Sequence, residues 1–267
     1  MKSILLCEGE TDQIILSYYF QNQYQYNFSS ERTNKISNSA SIGIKRSYVQ
    51  RNEVSNEENE LVIWAVGGRE KLCPAIGLVL NQNKLNTDLF YERIIIVSDK
   101  DSLDESSAIW ENICEEIEKK KIKINFKEQE WFSGKQKTDF GDTKNIDFLL
   151  LNVPYEGEGA LETFLLSALK ETGKAEKFIA LKSEKFVESM VKNKEKIQNK
   201  YLHKRRQCTK APLAVFFAIT SPDKVFTEMD EMLRSIHWEK YNTIQTGFKQ
   251  LNCFSVSISE YSKAKDK

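Results

Sequence analysis

Histidine is scarce in this chain, with only His203 and His237. That argues against a histidine-built metal centre and against a Ser-His-Asp triad; both read as surface or packing residues. The five cysteines, Cys7, Cys73, Cys114, Cys208 and Cys253, are scattered and form no CxxC pair. An odd, unpaired set predicts a reducing compartment, no disulfide framework and no zinc site. Charge of one sign is also missing, since 39 basic and 39 acidic residues balance. Any polyanion-binding surface must therefore be local. No stretch approaches the ~20 apolar residues of a membrane helix. The start reads as a strand rather than a signal peptide, so a soluble, cytoplasmic protein is expected. With 267 residues, 40% of them hydrophobic and 29% charged, the chain can bury a sizeable core.

What is present is an alternation of apolar runs and amphipathic stretches. Ile4-Leu5-Leu6-Cys7 runs into Glu8, then Gly9-Glu10-Thr11-Asp12, then Ile14, Ile15, Tyr18 and Tyr19 at helical spacing. This predicts strand, tight turn and a helix over 12–22. Open α/β sheets bind their ligands at such strand ends. The polar segment 23–60 reads as an insertion holding one short strand within 42–49. A buried strand over 61–66 ends in Gly67-Gly68, and a helix over 69–80 follows. Arg93 to Ser98 is a β-branched strand ending in Asp99-Lys100-Asp101, followed by a helix over 107–119. An edge strand over 122–126, a loop over 133–143 and a strand over 148–153 complete this half. The reading is α/β: a mostly parallel sheet with helices on both faces.

After Gly159 strand signals vanish. Helices are predicted over 160–169, 175–181, 184–201, 211–220, 222–236 and 241–254, with a polar tail from Ser255. The expected domains are 1–155, α/β with the insertion, and 156–267, a helical subdomain completing the site.

Three strand ends supply acids: Glu8 and Asp12; Asp99 and Asp101; then Glu156, Glu158 and Glu162. Oxygen ligands without histidine or cysteine suit Mg²⁺ or Mn²⁺, and crowded carboxylates call for a cation. In Asp-x-Asp the strand period of two sets both carboxylates on one side. Plainer readings stand beside these. Asp12 is equally a first-turn acid favoured by the helix dipole, with Thr11 as N-cap. Asp99 and Asp101 also suit the start of a polar loop, Glu162 a solvated acid beside an apolar face, and Gly67-Gly68 a structural turn. Glu8, straight after a buried strand, has no packing reason to be acidic. From Lys182 to Lys210 there are ten Lys and Arg against three Glu. Lys200, Tyr201, Lys204, Arg205 and Arg206 in that run suit a nucleic-acid track; a solvated helix face is the plainer reading.

The order Leu5-Leu6-Cys7-Glu8-Gly9-Glu10-Thr11-Asp12, Gly67-Gly68 and Ile94-Ile95-Ile96-Val97-Ser98-Asp99-Lys100-Asp101 resembles the TOPRIM domain. That Rossmann-like domain is shared by topoisomerases, bacterial-type primases, recombination mediators of the RecR type and OLD-type nucleases. The resemblance covers roughly residues 2–155, and the Glu-x-x-x-Asp form is most similar to OLD-type nucleases and small stand-alone TOPRIM proteins. There a later Leu-Glu helix and a lysine complete a two-metal site. Leu161-Glu162 matches the helix, Glu158 is expected one turn earlier on the same face, and Lys210 is the candidate lysine. The resemblance implies an Mg²⁺- or Mn²⁺-dependent endonuclease with two ions, hydrolysing phosphodiester bonds in DNA or RNA. Glu8 would be general base, general acid or ligand. Asp12, Asp99 and Asp101 would be ligands, Glu162 and Glu158 would complete the second metal, and Lys210 would stabilise phosphate charge. The chain lacks a Walker A loop, the zinc finger of some relatives, and an identifiable strand-passage tyrosine. Topoisomerase and primase activity fit poorly, and a regulatory partner such as a separate ATPase is expected. By analogy the role would be antiviral defence or a toxin-like effector. The rival expectations are a non-catalytic TOPRIM binding module and a small-molecule phosphohydrolase.

Overall fold

The first apolar run becomes strand β1, Lys2–Cys7, in which Ile4 to Cys7 are wholly buried. A computed structural model describes residues 1–24, 26–28, 45–51, 59–100, 103–155, 157–193, 197–224, 232–233 and 235–254. In chain order, β1 leads to helix α1 (Glu10–Tyr24), then β2 (Tyr26–Phe28), β3 (Lys45–Arg51) and β4 (Asn59–Ala65). Helix α2 (Leu72–Leu85), β5 (Arg93–Asp99), α3 (Leu103–Lys119), β6 (Trp131–Lys137) and β7 (Thr143–Val153) follow. Then come helices α4 (Leu161–Leu169), α5 (Lys174–Lys192) and α6 (Arg205–Thr220), and a short helix Asn242–Gly247. The fold is α/β with a helical C-terminal part, as expected.

The strands form one sheet in the order β2-β3-β4-β1-β5-β7-β6. Its centre is parallel, β1 lying between β4 and β5. The flanking pairs β2–β3, β3–β4 and β6–β7 are antiparallel. Strand side chains alternate between faces. Ile4, Leu6, Trp64 and Ile96 pack with Ile76 and Val79 of α2 and with Trp110 and Ile113 of α3. Each such fully buried aliphatic side chain contributes about 1.5–3 kcal/mol. On the other side α1 packs on β3 and β4, and Gln13 Nε2 donates to the Ile63 carbonyl at 3.0 Å.

The chain divides into two compact units. The first holds Met1–Ser98, Asp104–Asn152 and the chain from Phe248 on; the second holds Asp99–Leu103 and Val153–Gly247. Compared with a cut at residue 155, Asp99–Leu103 and Val153–Tyr155 count with the second unit, and Phe248–Phe254 with the first. In the first unit Phe248 packs on Tyr19, with ring centroids 5.0 Å apart, and Phe254 packs on Phe20 at 5.2 Å. Trp131 Nε1 donates to the Gln250 carbonyl at 2.9 Å. In the second unit α4, α5 and α6 pack on one another, burying Phe164, Leu165, Leu213 and Phe216. Glu171 accepts the Asn242 and Thr243 N–H groups, both at 2.8 Å, which satisfies the start of the short helix.

Several elements depart from the sequence reading. Residues 133–137, expected as loop, belong to β6. Their alternation runs through Phe132, Gly134 and Gln136, and two of these are not apolar, so hydropathy does not reveal it. Gln136 Nε2 donates to the Leu80 carbonyl at 2.7 Å. A Cβ on Gly134 would lie 2.5 Å from Ile122 Cγ2, so the segment 122–126, expected as an edge strand, is irregular chain laid against β6. The helices expected over 175–181 and 184–201 are one helix, α5, ending at Lys192. Buried Ser183 does not break it, because its Oγ donates to the Ile179 carbonyl at 2.9 Å. The helix expected over 241–254 stops at Gly247 and continues as a 3-10 turn, Lys249–Phe254. Part of the insertion pairs as β2 and β3; 29–44, 52–58 and most of the helix expected over 222–236 lie outside the described residues.

Candidate functional site

The end of β1 is held by its neighbours. Parallel register pairs Cys7 with Val97, which brings Glu8 level with Ser98. Ser98 Oγ donates to Glu8 Oε1 at 2.6 Å, and Arg69 Nε donates to the same oxygen at 3.1 Å. The Gly67 and Gly68 N–H groups both donate to the Glu8 carbonyl at 2.9 Å. That turn needs φ of +88° and +141°, and a Cβ on Gly68 would lie 2.6 Å from Glu70 Oε1. Glycine is required here because L side chains rarely adopt such backbone angles. The glycine pair thus brings Arg69 to Glu8. Sequence reasoning missed both Arg69 and Ser98. The available signals were a lone serine closing a buried strand and an arginine directly after the turn.

Asp12 is buried, and its Oδ2 accepts the Gly9 N–H at 2.6 Å. Because α1 starts at Glu10, Thr11 lies inside the helix instead of capping it. Asp12 occupies the third helical position and reaches back to the turn, the acidic half of a capping box.

In the second unit Asp99 Oδ1 accepts the Leu161 N–H at 2.9 Å, at the first residue of α4. A carboxylate there favours the helix dipole. The Lys100 N–H donates to the Val153 carbonyl and the Gly159 N–H to the Lys100 carbonyl, both at 2.8 Å, which closes the turn leading into α4. Glu162, one residue into α4, is 5% exposed. Its Oε1 accepts from Lys210 Nζ, and its Oε2 is buried with no hydrogen-bond partner. Lys210 lies within α6, not ahead of it. The two residues paired by resemblance are therefore in contact.

The remaining candidates are placed less tightly. Glu158 is exposed in the turn before α4. It is not one helical turn before Glu162 on a shared face, because α4 begins only at Leu161. Asp101 lies outside the described residues, as does Glu156. Lys204 is the N-cap of α6 and Arg205 its first residue; both are exposed. Arg206 follows in the same turn, its side chain outside the description. Lys200 Nζ lies 5.1 Å from the centroid of the Tyr201 ring, and Tyr201 is 60% exposed.

Oxygen donors of this kind fit a hard divalent cation, and the unpartnered Glu162 Oε2 is an atom a cation would satisfy. Within the first unit Glu8 and Asp12, and within the second Asp99 and Glu162, are described residues with such donors. Among the described residues no group of three or more His, Cys, Asp or Glu side chains is gathered closely enough to hold a metal by itself. No described helix is long and apolar enough to cross a membrane.

No curated protein matches the chain. Among solved structures, the crystal structure of the hypothetical protein PH0156 from Pyrococcus horikoshii OT3 is similar over 97% of this chain and 94% of that one. Its TM-score is 0.51 at 17% identity, a likeness of fold alone. A glyoxylase/bleomycin resistance protein/dioxygenase domain from Frankia sp. EAN1pec aligns at 9% identity over 55% of this chain and 88% of that one, with a TM-score of only 0.15. The pattern of the family described as protein of unknown function (DUF3226) matches residues 2–250, and this chain belongs to that family.

Proposed function

We propose that the chain is a cytoplasmic, TOPRIM-like nuclease that hydrolyses phosphodiester bonds in DNA or RNA with Mg²⁺ or Mn²⁺. The observation that carries this reading is Glu8: a carboxylate at the end of the central parallel strand, one oxygen held by Ser98 and Arg69. Such a pinned rotamer is what a positioned acid or base needs. A divalent cation bound by the acids would supply Lewis-acid charge stabilisation and a water of lowered pKa. In this reading Ser98 and Arg69 orient Glu8, which takes the proton of the attacking water. Lys210, held on Glu162, is the cation for charge developing on phosphate oxygens. The grouping of both sets of residues in one reaction rests on the resemblance to TOPRIM nucleases. Antiviral defence and gating by a protein partner such as an ATPase belong to the same reading.

The second reading is a binding module that cleaves nothing. It is favoured by the Arg69 guanidinium on Glu8, which balances the carboxylate charge without a metal ion. The test incubates supercoiled plasmid, single-stranded DNA and transfer RNA with Mg²⁺ or Mn²⁺, beside Glu8→Ala and Asp99→Ala. Cleavage by the wild type alone supports the nuclease. Intact substrates in every lane, with metal bound by calorimetry, support the module.

A further inference from the structure

We propose that the solvent face of α5 binds single-stranded nucleic acid, its lysines pairing with phosphates and its phenylalanines stacking on unpaired bases. The proposal rests on the nuclease reading for the kind of polymer, and it supplies a strand preference that reading lacks.

Helix α5 buries Ala180, Ser183 and Val187. On the opposite face Phe178 is 61% exposed, Leu181 41% and Phe186 51%. Large apolar side chains grouped on one helix face mark a contact surface. Lys182 and Lys185 fall between Leu181 and Phe186, Lys174 stands four residues before Phe178, all three are exposed, and Lys192 extends the row. The acids of α5 are mostly turned elsewhere. Glu184 pairs with Lys170 at 2.6 Å, and Glu188 borders the face. The face is thus positive in a chain without net charge.

The arrangement of cations and rings selects the partner. Lys182 Nζ lies 5.3 Å from the Phe178 ring centroid, so charge and aromatic surface are interleaved. A membrane-lying helix instead keeps a continuous apolar face with cations at its margins. A polymer offering both phosphates and exposed flat bases fits the interleaved pattern, as on single-strand binding surfaces. A duplex hides its base faces and would engage the lysines alone. In the same unit Tyr201 and Lys200 repeat the ring-and-ammonium pair.

The test is fluorescence anisotropy of a labelled oligothymidine strand and of a labelled duplex, in EDTA, so that cleavage plays no part. The wild type should prefer the single strand. Phe178→Ala with Phe186→Ala should weaken that binding roughly tenfold or more. Lys182→Gln with Lys185→Gln should flatten the slope of log affinity against log salt by about 1.4. All four side chains are exposed, and circular dichroism should confirm that both variants remain folded. Phenylalanine-dependent strand binding in EDTA together with intact substrates in Mg²⁺ would uphold this proposal while the nuclease reading fails, which separates the two. Unchanged binding in both double variants overturns it, as does equal affinity for duplex with no effect of the phenylalanines. Binding only to phosphatidylserine vesicles overturns it in favour of a membrane contact. Phenylalanine-dependent self-association without strand binding overturns it in favour of a second copy.

Discussion

Arg69 donates its Nε–H to Glu8 Oε1 at 3.1 Å, and the two side chains are only 18% and 16% exposed. Ser98 Oγ donates to the same oxygen. Removing Glu8 would take one partner from a largely desolvated guanidinium and one from the Ser98 hydroxyl. Glu8→Ala should cost about 1–3 kcal/mol of stability, and Ser98→Ala about 1 kcal/mol. Urea unfolding reads both. A Glu8→Ala, Arg69→Ala double-mutant cycle should show coupling between the two; strict additivity would mean the pair contributes nothing.

Lys210 and Glu162 are paired with unequal exposure, 41% against 6% of the side chain. Lys210→Met would leave a buried carboxylate alone. Breaking a fully buried pair costs about 3–5 kcal/mol; with Lys210 partly in water, about 2 kcal/mol is expected. Glu162→Gln should cost less, because no buried charge remains. If Glu162 also binds a cation, Mg²⁺ should raise the melting temperature of the wild type and not that of Glu162→Gln.

Tyr24 is 2% exposed and its hydroxyl donates to Asn252 Oδ1 at 3.1 Å. Burial, then the neighbouring Tyr19, pushes its ionisation far above the ordinary value of 10.0. The unfolded chain therefore loses this proton first. The contribution is complete below about pH 10 and declines as pH rises through and beyond that value. Tyr24→Phe should flatten the alkaline loss of stability while costing about 1 kcal/mol near neutrality. Denaturant midpoints between neutral pH and pH above 10 check it; parallel curves for the two proteins would refute it.

Cys253 is a thiol that burial lifts to about 11, and Cys114 is likewise raised to about 11. Both should stay protonated and react slowly with iodoacetamide near neutral pH, since the thiolate is the nucleophile. Mass spectrometry of native against urea-unfolded protein should show strong protection in the native state. Equal labelling rates would contradict it.

Gly247 closes the last short helix, and a Cβ there would collide with Phe164 Cζ. Gly247→Ala should cost about 1–3 kcal/mol by overpacking, read as a lower melting temperature. Phe248→Ala, one residue on, removes a wholly buried ring and should cost about 3–5 kcal/mol.

The α/β reading was legible because β1, β4 and β5 are continuous apolar runs, as strands covered on both faces must be. The acids at the ends of β1 and β5 were legible for the same reason: a carboxylate that breaks such a run has no packing role. Other elements carried no such signal. The inward residues of β6 include a glycine and a glutamine, whose fit depends on Ile122 and the Leu80 carbonyl. Lys182-Ser183 looks like a helix break until Ser183 is seen bonded to the turn before it.

By itself, then, the amino-acid order determined the alternation of strand and helix, the glycine turn after β4, and the acids that close β1 and β5. Local periodicity and turn chemistry suffice for those. Only the tertiary structure decided which groups hold the acids. Arg69 and Ser98 reach Glu8 because parallel register and the positive-φ glycines bring them there. Lys210 reaches Glu162 because α4 packs on α6. It also returned Phe248–Phe254 to the first unit. Those pairings join residues far apart in the chain, and long-range packing has no signature in a window of neighbouring residues.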